Sequence, residues 1–153
     1  MQRVMREQTL CRQQMSRDLM KVYREVYQDV PIGTTQTEVY EMVVQHPAPR
    51  FYIDPRRAHA RIAKLMRGDK TDWEKLTPLK KMMYNDLFMV CQDLSHKRPY
   101  RSLYALLKDA VLEDAPRFYI SAKRMSQIWQ AENIKIRIVR QNRLRLSEYE
   151  QGA

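Results

Sequence analysis

The chain has 153 residues, 44% apolar and 30% charged, which is enough apolar surface for a buried core and argues against disorder. Three glycines and seven prolines are too few for a sandwich or barrel, and no apolar run reaches the ~18 to 20 residues that cross a bilayer. The 28 basic and 18 acidic residues leave a formal charge of +10, which favours polyanionic partners because each neutralised phosphate releases counterions.

In chain order, Leu19, Met20, Tyr23, Val26, Tyr27 and Val30 recur at three and four, predicting a long helix from about Arg3 to Asp29. Arg3, Arg6, Glu7 and Arg12 interrupt the first residues, so no secretory signal is expected. Pro31-Ile32-Gly33 ends the helix. Thr35 or Thr37 caps a second one carrying Val39, Tyr40, Val43 and Val44 on one face, and His46-Pro47-Ala48-Pro49 stops it. Arg50 to Ile53 is short and aromatic, hence extended. Asp54 followed by Pro55 is an N-cap with proline in the first turn, and Gly68 closes this third helix. Thr71 to Glu74 has capping-box spacing and predicts a short turn. Thr77-Pro78 opens a helix through Leu94, residues Tyr100 to Asp114 form the next, and Ser121 caps one through about Ala131. Beyond Asn133, Ile134, Ile136 and Ile138 alternate with basic residues, as do Leu144 and Leu146. Period two suits a β-hairpin turning near Gln141-Asn142, while Ala131, Ile134 and Ile138 also fit a continuing helix. The hairpin is the favoured form, and would make a wing-like basic ribbon.

The chain contains an internal repeat. Ala48-Pro49-Arg50-Phe51-Tyr52-Ile53 returns unchanged as Ala115-Pro116-Arg117-Phe118-Tyr119-Ile120, an offset of 67. The same offset pairs Val44 with Val111 and Ile62 with Trp129, and sets Met20, Val22 and Tyr27 on Leu87, Met89 and Leu94. The expected architecture is therefore all-α: a tandem duplication of a three-helix unit, 1–69 and 70–133, with a basic tail over 134–153. Units this small bury little alone, so the copies should pack together.

Seven basic and two acidic residues occupy 50–70, and eight and three occupy 115–153, whereas 71–114 is balanced and 30–49 is acidic by two. In the third helix Ala58, Ile62, Leu65 and Met66 form an apolar stripe, with Arg57, Arg61 and Lys64 on the solvent side and Arg56 near. The layout is loosely similar to helix-turn-helix and winged-helix regulators, although the connection of about eight residues exceeds the usual three or four. The second copy does not keep the stripe, since Ile128 and Ala131 stand for Arg61 and Lys64. The repeated element allows two uses. Tyr52 and Tyr119 could stack on bases while Arg50 and Arg117 bind phosphate, or the six residues form a rigid connector with Phe and Ile turned inward. The connector is the favoured use.

No catalytic set can be assembled: the glycines are scattered, and His46, His59 and His96 lack metal-site spacing to Cys11 or Cys91. Both cysteines are expected as free thiols in a reducing, cytoplasmic setting. Asp69, Asp72 and Glu74 are expected to cap helices and balance Lys70 and Lys75 rather than hold a cation. The expected function is non-enzymatic binding of nucleic acid, DNA being the favoured form, without cofactor, metal, membrane or small-molecule substrate. Arg50, Arg56, Arg57, Arg61, Lys64, Arg117, Arg124, Lys135, Arg137, Arg140, Arg143 and Arg145 are the expected phosphate contacts. The alternative is an assembly component of a phage particle or mobile element, forming a homo-oligomer or meeting an acidic protein partner.

Overall fold

The computed structural model describes the backbone of residues 2–151 and the side chains of residues 9–148. Among the described residues the chain is all-helical: α1 Gln2–Asp29, α2 Gln36–Gln45, α3 Pro55–Met66, α4 Pro78–Lys97, α5 Leu103–Ala110 and α6 Ala122–Gln151, with a 3-10 turn at Trp73–Lys75. The caps follow from residue type. Thr35 Oγ1 accepts from Glu38 N, Asp54 from Arg56 N, Thr77 from Lys80 N, and Ser121 from Arg124 N. Ser102 caps α5, so that helix starts later than Tyr100 and ends at Ala110. Gly33 and Gly68 take positive φ after α1 and α3, where a side chain would be strained.

The C-terminal β-hairpin does not form. Residues 134–151 continue α6 as one helix, and the boundary expected at 133 falls inside it. No glycine or proline lies between Ala122 and Gln151, and Gln141-Asn142 lacks the glycine that favours a two-residue turn. A lone two-stranded ribbon is also marginal in water. The docked start of α6, with Met125 and Ile128 buried, supplies the costly helix nucleus, and Arg, Leu and Gln propagate it.

The two six-residue segments meet at the centre. Ala48 and Ala115 each donate N–H to the other's carbonyl at 2.9 Å. Phe51 N donates to Val111 O at 2.8 Å, and Phe118 N to Val44 O at 3.1 Å. Phe51 stacks on Tyr119 with centroids 5.9 Å apart, and Tyr52 on Phe118 at 5.8 Å. Each tyrosine then reaches a carboxylate on a long helix, Tyr52 Oη donating to Asp18 and Tyr119 Oη to Asp86, both at 2.5 Å. Each of these backbone and tyrosine bonds on one side has its counterpart on the other. They differ in that Tyr119 adopts φ +58°, a left-handed conformation that Tyr52 does not share.

This pairing corrects the helix register. Asp18 matches Asp86 and the buried Leu19 matches the buried Leu87, an offset of 68 rather than 67. Tyr27 and Met89, core-facing at the connector's offset, are exposed. One additional residue separates helix from connector in the first half.

The third helices cross over. α3 packs against α4 and α5, and α6 packs against α2 and α1. Ala58 and Ile62 carry α3 into the core, while Trp129 of α6 lies on Tyr23 of α1 with centroids 3.7 Å apart. Gln36 Nε2 fastens this corner, donating to Tyr23 Oη at 2.7 Å and Tyr40 Oη at 3.1 Å.

Phe51 is fully buried at the junction, so Phe51→Ala is expected to cost about 3–5 kcal/mol in urea unfolding. Burial, and then the facing carboxylate, push the Tyr52 and Tyr119 phenols above the ordinary tyrosine range. A raised folded pKa gives stability that is whole below about pH 10 and is lost as pH climbs through the raised value. The Y52F/Y119F double variant should be less stable at pH 8, with a shallower decline above pH 10.

Candidate nucleic-acid interface

The basic residues singled out above divide into three groups. Those of the connector are half-buried, and Arg50 is committed inside the fold. Arg50 is half-buried: its Nε donates to Phe51 O at 3.0 Å, one terminal nitrogen to Gln14 Oε1 at 3.3 Å and the other to Cys11 Sγ at 3.8 Å. Arg117 is half-buried as well, with its Nε enclosed. Tyr52 and Tyr119 have ring faces stacked on phenylalanines, which removes them as platforms for bases.

The second group lies on α3. Arg56 and Arg57 are exposed. Arg61 and Lys64 are half-buried, and Arg61 donates to Thr71 O at 3.3 Å. Asp69 sits near Lys64 and Arg67; its carboxyl is held below the usual range mainly by hydrogen bonds from the Thr71 side chain and backbone. Met66 is exposed, so the apolar stripe of α3 ends at Leu65.

The third group lies on α6. Arg124 is exposed and donates to Gln127 at 3.3 Å. Lys135 pairs with Glu132 at 3.2 Å. Arg137, Arg140, Arg143 and Arg145 are exposed and have no ion pair among the described residues. No acidic residue occurs between Glu132 and Glu148. Every side chain from Arg137 to Glu148 is exposed, so this stretch has no packed face. Glu132 and Lys135 flank Thr9 to Arg17 of α1, and the helix continues from there away from Trp129. The α3 and α6 groups thus sit on helices packed on different partners, not on one shared helix face.

The acidic residues near Trp73 are used locally: Asp69 accepts from Thr71 N at 2.9 Å, Asp72 pairs with Lys75 at 3.0 Å, and Glu74 with Lys81 at 3.0 Å. No cluster of three metal-type ligands occurs among the described residues. Cys11 and Cys91 are buried thiols outside any disulfide, and burial pushes the Cys91 thiol up to about 11, far from a reactive thiolate. No helix is long and apolar enough to cross a membrane among the described residues.

One feature is not apparent from the charge pattern alone. At the far end of α1, two adjoining hollows of about 510 and 370 Å³ share Glu25 and His46. Val26, Val30, Pro31 and Met42 give the first an apolar floor beside Asp29, and Asp18 and Asp114 line the second with Lys21, so that acids outnumber the one lysine. The acids that line these hollows fall outside the acidic stretch 30–49: Asp18, Glu25 and Asp29 come from α1 and Asp114 from the segment after α5.

No protein-family model matches the chain, and neither a curated protein nor a solved structure shows significant similarity to it.

Because every side chain from Arg137 to Glu148 is exposed, truncation after Ile136 should lower helical circular dichroism by about 15 residues' worth while moving Tm by less than about 4 °C.

Proposed function

We propose that this protein binds nucleic acid, DNA in the first place, without catalysis, and that the C-terminal half of α6 is its principal contact. The observation that carries this is the run of Lys135, Arg137, Arg140, Arg143 and Arg145 on an exposed helix free of intervening carboxylates. Guanidinium groups projecting around such a helix can reach phosphates on both walls of a groove, an arrangement suited to backbone contact more than base reading. Arg56 and Arg57 on α3 with Arg124 on α6 form a secondary set, to which Arg61 and Lys64 contribute less because they are half-buried. Arg50 and Arg117 are left out of the contact set; their role is in the connector. A cytoplasmic location fits this role, with both cysteines kept as thiols.

The fold is read in the same terms as a tandem duplication of a three-helix unit whose third helices have been exchanged. The matched hydrogen bonds of the two connectors and the equivalence of Asp18 with Asp86 support it. The helix-turn-helix comparison gains less support, because α3 packs on helices of the other half rather than on α2.

Fluorescence anisotropy of a labelled duplex across a salt series tests the proposal. The wild type should bind with a steep negative slope of log K against log salt. R140A/R143A/R145A should reduce that slope by about 2.7, at about 0.9 per phosphate contact. Absence of binding at low salt, or binding indifferent to salt, overturns the proposal.

A further inference from the structure

We infer that the acid-lined groove at the far end of α1 receives the basic half of α6 from a second copy of this chain, joining copies head to tail. Glu25, Asp29 and Asp114 have no ion pair among the described residues, and they border the apolar Val26, Val30 and Met42, the last 44% exposed. Such a lining fits a helix that is both apolar and cationic. α6 supplies one: Ile134 and Ile138, each more than half exposed, lie four residues apart on one face, and Arg137 and Arg145 fall beside them.

A chain cannot fill its own groove. The tail leaves the body beside residues 9–17 of α1, whereas the groove lies at residues 25–30, roughly 25 Å along the helix at 1.5 Å per residue. From Trp129 onward the tail runs in the opposite direction. Pairing two tails with each other would oppose like charges, five cations against five. Pairing tail with groove joins opposite charges and covers apolar surface on both sides. Since the two surfaces differ, the contact is heterologous, and copies add in an open row or a closed ring.

The inference stands independently of nucleic-acid binding, although both use the same arginines. Light scattering on nucleic-acid-free protein at low salt tests it with two variants. E25K/D29K spoils the groove and keeps the tail; R137E/R140E does the reverse. Wild type should grow in mass beyond two chains as concentration rises, and each variant alone should remain a single chain. An equimolar mixture should associate, because the intact tail of one variant meets the intact groove of the other. Single-chain wild type at high concentration, a mixture that stays apart, or dimers of E25K/D29K alone overturn the inference. If a variant fails to fold, Met42→Cys with Ile138→Cys, bridged by a bismaleimide, replaces it: covalent multimers are expected, and monomer alone overturns the idea. E25K/D29K should keep its affinity for DNA, so failure of either reading is visible separately.

Discussion

The hydrogen bonds exchanged by Ala48 and Ala115 are the constraint on which the other helices depend. Two short extended segments cannot bury their backbone alone, because each N–H and C=O needs a partner. Here each segment satisfies the other, with Phe51 and Phe118 adding a second pair of bonds to Val111 and Val44. The proline in each segment limits the chain's approach to this junction, and Asp54 and Ser121 start the next helix immediately after it. Once the segments are paired, α3 is directed onto α4 and α5, and α6 onto α1 and α2. The aromatic stacks and the two tyrosine–carboxylate bonds then tie the junction to both long helices.

Much of this was legible in the residues. The caps at Thr35, Asp54, Thr77 and Ser121 and the terminators Gly33 and Gly68 are local signals, and local chemistry decided them. The repeated Ala-Pro-Arg-Phe-Tyr-Ile element was visible as well, as was its inward Phe. Its pairing with itself was not, because hydrogen bonding between segments 67 residues apart leaves no local trace. The one-residue shift that aligns Asp18 with Asp86 was hidden for a similar reason: the connector's offset was carried back into a helix to which it does not apply. The alternation of Ile134, Ile136 and Ile138 misled more directly. Period two signals a strand only where a sheet accepts one face, and no partner strand exists among the described residues.

The charge pattern was legible as a sum and less so as a surface. Clusters over 50–70 and 115–153 are real in sequence, yet the fold treats their members differently. Arg50 is drawn inward by a carbonyl, an amide and a thiol, and Arg61 is held at Thr71, while Arg137 to Arg145 stand in solvent. The difference is one of packing: α3 is half covered by its neighbours, whereas the last turns of α6 outrun theirs. Sequence arithmetic counts such residues equally, and only their placement separates a structural guanidinium from one free to meet an anion.

The packing of α6 on α1 and α2 carries a consequence for biogenesis. The bundle around Tyr23 and Tyr40 is closed by Trp129, which is synthesised long after them, so α1 and α2 leave the ribosome with that flank still open. Synthesis therefore has to pass Trp129 before this flank is sealed, whereas α3, α4 and α5 pack on one another without α6.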